Sequence, residues 1–134
     1  MRVLVDTHVL LWWKAGGERL STQAARELAR ADAVLVSPIV FWEVATLLVK
    51  GRIELDRELF EWIADLLGGE GVELAPLSAQ AAADAGMLGN RGLAGDPADR
   101  LLYATARELS VPFVSKDATI RDFAREAKDV RVIW

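Results

Sequence analysis

Five carboxylates in this chain stand where carboxylates can do chemistry. Asp6 follows the apolar run Val3–Val5. Glu43 lies inside IVFWEVATLLV (39–49), where the only other polar side chain is Thr46. Asp96 and Asp99 open the stretch GDPADRLLYATARELSVPFVSKD (95–117), and Asp117 closes it. Each has a plain structural role open to it. Asp6, Asp96 and Asp117 suit helix caps, and Asp99 sits in a first turn, where the helix dipole favours an acid. Glu43 is the exception, because an ionised carboxylate among apolar neighbours is costly unless it is paired or metal-bound. Its structural alternative is a salt bridge, or a solvent-facing stripe shared with Lys50. Gathered at one place, four or more carboxylates repel each other and cannot all stay ionised without a cation. Oxygen-only ligation suits Mg²⁺ or Mn²⁺ rather than zinc. Such a site activates water and offsets the charge of a transferring phosphoryl group.

Other chemistries find little support. There is no cysteine, and His8 is the only histidine, so thiol catalysis is excluded and a Ser-His-Asp arrangement is disfavoured. His8 reads as a packing residue or as support for the acids. Neither GxGxxG nor GxxxxGK[ST] occurs, so the nucleotide-binding fingerprints are absent. The five tryptophans, Trp12, Trp13, Trp42, Trp62 and Trp134, read as mostly core. Trp12 and Trp13 are adjacent, so one of them is free to serve a protein interface.

The elements that must position the acids follow from periodicity and punctuation. Strands are expected over 2–6, 33–36, 72–75, 111–115 and 130–133. Helical segments are expected over 9–13, from the Ser21 cap to about Ala31, over 39–50, from an Asp56 cap to about Leu67, from a Ser78 cap to Met87, from Asp96-Pro97 to Ser110, and over 118–127. In the second of these Ala25, Leu28 and Ala29 are expected to face inward. Gly51 is the expected residue after the third helix, and 89–95 reads as a loop. Strands that alternate with helices predict an α/β fold with a mostly parallel sheet and helices on both faces. If the first and fourth strands are neighbours, Asp6, Glu43, Asp99 and Asp117 meet at one rim of that sheet.

With 134 residues, the chain is expected to be a single domain, 1–134. No apolar run approaches the ~20 residues that span a bilayer, and the early acid and histidine do not suit a signal peptide, so a cytoplasmic location is expected. The net charge of −4 argues against a broad basic nucleic-acid footprint. Shared divalent cations would remove that objection at the acids themselves.

The segments VDTHVLLWW, SPIVFWEVATLLVKGRI and GDPADRLLYATARELSVPFVSKD resemble the PIN-domain ribonucleases, and within them the VapC-type toxins of toxin–antitoxin pairs. The likeness runs from the first strand to about Asp122. It implies a three-layer sandwich around a parallel sheet of about four to five strands, and a Mg²⁺- or Mn²⁺-dependent endoribonuclease site. Asp6, Glu43, Asp99 and Asp117 match the family's acidic core. Asp96 matches a further acid of the DPxDR subgroup, as a ligand or only as a cap. Thr7 and Ser115 match the small hydroxyl residues that orient the acids or a water. The resemblance also implies an RNA substrate, a homodimer, and a cognate antitoxin whose tail enters the active-site groove. Lys50, Arg52, Arg100 and Lys116 are near enough in sequence to contact flanking phosphates. Two other classes compete: a non-catalytic interaction module with structural acids, and an aspartate-based phosphoacceptor or phosphatase. The phosphatase needs a second aspartate where His8 stands, and the receiver type needs its acceptor after the third strand, where Pro76 follows Ala75.

Overall fold

The computed structural model describes all residues, 1–134. Five strands, β1 (Arg2–Val5), β2 (Ala33–Val36), β3 (Val72–Leu74), β4 (Phe113–Val114) and β5 (Val132–Ile133), form one sheet. Its order is β3-β2-β1-β4-β5 and every pairing is parallel. Seven α-helices connect and cover it: α1 (Thr7–Lys14), α2 (Thr22–Arg30), α3 (Pro38–Val49), α4 (Leu59–Gly68), α5 (Ala79–Leu88), α6 (Pro97–Leu109) and α7 (Ala118–Ala127).

The central strand β1 carries Val3, Leu4 and Val5, all fully buried. A strand covered on both faces needs such a run rather than an alternating pattern. The chain lays β1, β2 and β3 outward in one direction, then crosses back to place β4 and β5 on the other side of β1. The strand order therefore reverses between β1 and β4, and in open parallel sheets the crevice beyond the strand ends at such a point is where ligands bind. Leu4 pairs with Phe113 and Val5 with Val114, which puts Asp6 and Ser115 side by side at the next register position.

Most helix starts follow their caps. The side chains of Ser21, Ser37, Ser78, Asp96 and Asp117 all accept from first-turn N–H groups. Gly51 has φ +69°, as a residue closing α3 requires. Five details differ from expectation. α1 begins at Thr7, because Asp6 caps it by accepting from Val9 N–H at 2.9 Å. α4 is capped by Glu58, whose two oxygens take the Phe60 and Glu61 N–H groups, while Asp56 pairs with Arg57 at 3.0 Å. The inward residues of α2 are Ala24 and Leu28, and Ala25 and Ala29 face solvent. A short 3₁₀ turn, Gly89–Arg91, interrupts the expected loop. The fourth and fifth strands are two residues each, Phe113–Val114 and Val132–Ile133, not 111–115 and 130–133.

The tryptophans are the main correction to the expected core. Only Trp62 is buried; Trp12, Trp13 and Trp134 are half-buried, and Trp42 is 61% exposed. Trp42 and Val49, the latter 89% exposed, lie seven residues apart on one side of α3. The apolar sequence of α3 therefore reflects an outer face as well as a core face, with Val40 and Val44 turned inward.

Candidate active site

The acids collect around the switch point. Asp6 ends β1, Asp117 starts α7 just beyond β4, Asp96 and Asp99 occupy the first turn of α6, and Glu43 reaches in from α3. α6 packs against α3 and α3 against α1, so these elements bring the carboxylates together. All five candidate residues lie in this region.

Each carboxylate is held locally. Asp6 Oδ1 accepts from Val9 N–H at 2.9 Å, Asp96 Oδ1 from Ala98 N–H at 2.9 Å, and Asp117 Oδ1 from Ile120 N–H at 2.9 Å. Glu43 Oε1 accepts the Thr7 hydroxyl at 2.5 Å. Thr7 is buried, so this bond ties the start of α1 to the middle of α3. Ser115, fully buried, accepts from Asp117 N–H at 3.1 Å and also stabilises ionised Asp6. The two hydroxyl residues thus orient the acids. Asp99 makes no side-chain hydrogen bond, and the second oxygens of Glu43, Asp96 and Asp117 are likewise uncommitted within the chain.

The electrostatics are one-sided. None of the chain's ion pairs involves Asp6, Glu43, Asp96, Asp99 or Asp117. The salt bridge that would have made Glu43 structural is therefore absent. Burial pushes the Asp99 carboxyl up, and the charges of Asp117, Asp96, Glu43 and Asp6 push it further, to about 7. Burial also raises Glu43, with added repulsion from Asp96 and Asp6. Asp6 is raised by burial as well, against the opposing influence of Ser115, Val9 N–H and the His8 charge. A cluster in which Asp6, Glu43 and Asp99 are all pushed upward lacks a counter-charge.

No three of the acidic or histidine side chains converge tightly enough to make a ready coordination shell. Their chemistry nonetheless fits a hard divalent cation: every donor is an oxygen, several are uncommitted, and no arginine or lysine competes for them. Histidine and thiolate donors that would favour a softer metal are missing apart from His8.

His8, expected as a packing residue or as support for the acids, is exposed on α1, its ring 5.8 Å from that of Trp12, and its charge favours ionised Asp6 and Glu43. A groove of about 920 Å³ runs beside it, lined among others by Leu11, Trp12, Arg52, Leu55 and Trp62. Arg52 thus shares a groove with His8, and none of the five candidate acids lines that groove. Arg100 packs its guanidinium over Gly89, where a Cβ would lie 3.4 Å from Nη1.

A family model for the PIN domain matches residues 3–126. Ribonuclease VapC22 of Mycobacterium tuberculosis is 39% identical over 119 residues, covering 89% of this chain and 89% of that protein. Among solved structures, VapBC-1 from nontypeable Haemophilus influenzae superposes with a TM-score of 0.68 at 16% identity, over 98% of this chain and 96% of that one. VapC20 of Mycobacterium tuberculosis, described as a Sarcin-Ricin loop cleaving toxin, gives 0.64 at 20% identity, over 90% and 94%. These two share the fold.

Proposed function

The chain belongs to the PIN-domain family, in its VapC-type branch, and on that premise we propose that it is a divalent-metal-dependent endoribonuclease, the toxin of a toxin–antitoxin pair, acting as one domain (1–134) in the cytoplasm. The observation that carries the reading is the carboxylate cluster without a cationic partner, with Asp99 lifted to about 7. Structural acids would be expected to find arginines, as Asp129 finds Arg107 and Asp65 finds Arg57. The ribonuclease name of the relative that is 39% identical supports the same reading.

Asp6, Asp99 and Asp117 would hold Mg²⁺ or Mn²⁺, with Glu43 completing or orienting the set and Asp96 adding a ligand from the α6 cap. When bound, the cation supplies an activated water and offsets charge on the scissile phosphate. The chain's own part is positioning. Thr7 fixes Glu43, Ser115 steadies Asp6 and the Asp117 loop, and the α6 and α7 caps keep one oxygen of Asp96 and of Asp117 turned to the helix. Lys116, beside Asp117 in sequence, is exposed and available to a flanking phosphate. A water nucleophile needs no 2′-hydroxyl, so the products carry 5′-phosphate and 3′-hydroxyl ends.

Several solved neighbours are named as VapBC complexes, VapBC-1 and the promoter-bound VapBC2 of Rickettsia felis among them. We assign the antitoxin segment of this system to the 920 Å³ groove, whose apolar lining (Leu11, Ile53, Leu55, Leu66) and charged edges suit an amphipathic peptide. The exposed Trp42–Val49 stripe of α3 is assigned to a homodimer contact.

Calorimetric titration with Mn²⁺ tests the site. Wild type is expected to bind, and Asp117→Asn to bind at least tenfold more weakly with its fold intact. Equal binding by the two proteins, or none by wild type, would reject the assignment.

A further inference from the structure

Next to the acids, the carboxyl rim carries an aromatic surface that the carboxylate chemistry leaves unused. His8 and Trp12, one turn apart on α1, have ring centroids 5.8 Å apart at 52°. Trp12 and Trp134 are also 5.8 Å apart, at 55°. Trp134 follows β5, which lies beside β4, so parallel strand order brings it to the rim that carries Asp6 and Asp117. The Lys116 ammonium stands 5.6 Å from the centre of the Trp12 ring. His8 is exposed, the two indoles are half-buried, and neither indole N–H is hydrogen-bonded within the chain.

Trp134 also borders a pocket of about 330 Å³ that it shares with Gln23, Arg121 and Arg125 of α2 and α7. No acidic side chain lines this pocket, in a chain whose net charge is −4. Arg121 makes no ion pair, and its buried Nε has no hydrogen-bond partner. Arg125 is engaged only by Asp122, an exposed pair on its own helix. A positive groove interleaved with accessible aromatic rings is the arrangement that binds single-stranded nucleic acid: rings take the bases, cations take the phosphates. A protein segment would use the apolar area but would not need the uncommitted Arg121 guanidinium at the edge.

We infer that His8, Trp12 and Trp134 form a stacking platform for unpaired bases of the RNA, with Lys116 and Arg121 meeting the phosphates on either side, so that a single strand runs from the pocket beside Trp134 across the platform to the carboxylates. The inference rests on the ribonuclease reading above and adds to it the side chains that take the bases. The RNA is held as an unstacked segment, a loop or single strand, because paired bases cannot offer their faces to the rings. Every base has such a face, so the platform selects for strandedness rather than sequence.

The test is fluorescence anisotropy in EDTA at low salt, with a fluorescein-labelled single-stranded RNA decamer of mixed sequence and the same decamer in duplex form. Trp134→Leu is expected to weaken single-strand binding by about 5- to 150-fold, the range for losing one base–aromatic stack, and Trp134→Phe to stay within about threefold of wild type. Arg121→Gln, which touches no part of the acid cluster, is expected to lower the slope of log Kd against log salt by about 0.7, one single-strand phosphate contact. The duplex is expected to bind weakly and alike in all of them. Melting curves establish that each variant is folded; if Trp134→Leu is not, Arg121→Gln decides. Wild-type affinity in Trp134→Leu, equal weakening by Leu and Phe, an unchanged salt slope in Arg121→Gln, or no binding by wild type would each overturn the platform. Adding Mn²⁺ to the same samples separates the two readings. Cleavage without a Trp134 effect removes the platform and keeps the nuclease, whereas platform-dependent binding without cleavage does the reverse.

Discussion

Replacing Asp99 by Asn should stabilise the metal-free protein above neutral pH, and the size of the effect can be worked from the site. Burial and four neighbouring carboxylates lift Asp99 from 3.8 to about 7. An acid that titrates higher in the folded than in the unfolded chain binds the extra proton in the folded state. Its contribution is therefore neutral below pH ~4, turns progressively destabilising up to pH ~7, and is constant above that. Converted in full, the shift corresponds to about 4 kcal/mol at 1.36 kcal/mol per pH unit. Asp99 is only partly buried and water screens its repulsion, which reduces the figure to about 1–2 kcal/mol. For a chain of this length that is about 3–8 °C in Tm. Thermal unfolding in EDTA should then show Asp99→Asn melting higher than wild type at pH 8, with the gap closing by pH 4. Saturating Mn²⁺ should raise wild type by several degrees and leave the variant unmoved. An Asp99→Asn protein that melts below wild type at pH 8, or by the same margin at every pH, would refute the reasoning and make Asp99 a structural residue.

Other consequences are independent of that one. Thr7→Val removes the donor to Glu43 and should lower stability in urea at pH 7 by about 1–2 kcal/mol, while Thr7→Ser should recover most of it. Trp42→Asp on the exposed side of α3 should leave the melting temperature within a few degrees and convert a dimer to a monomer in light scattering; an unchanged mass would remove that face from the interface. Lys128 caps α7 at φ +59°, so Lys128→Gly should stabilise by about 0.5–1 kcal/mol without altering metal binding.

The acids were legible because they coincide with punctuation. Asp96-Pro97 and Asp117 announce helix starts, Asp6 ends an apolar run, and Glu43 interrupts one. Local rules thus placed Asp6, Asp96, Asp99 and Asp117 near element ends, and Glu43 inside a helix, before any packing was known. Asp56 and Glu58 show the limit of those rules, since both can cap α4 and only the Arg57 pairing and the bonds to Phe60 and Glu61 decide between them. Trp42 and Val49 illustrate a second limit. Apolar periodicity marks a face that avoids water and is silent on whether this chain or another covers it. The Trp12–Trp134 contact spans nearly the whole sequence and depends on β4 and β5 adding to the sheet beyond β1. No window of residues could have shown it. The lack of arginines at the acid cluster is a three-dimensional fact of the same kind.

The most direct test of the account is the chemistry of the ends it produces. Antitoxin-free protein would be incubated with total RNA in Mn²⁺ or in EDTA, and new 5′ ends mapped by ligation that requires a 5′-phosphate. The account predicts discrete new 5′-phosphate ends in Mn²⁺, none in EDTA, and none with Asp117→Asn in either. Cleavage that persists in EDTA, that survives Asp117→Asn, or that leaves 2′,3′-cyclic phosphates would contradict a carboxylate-held cation as the source of the activity.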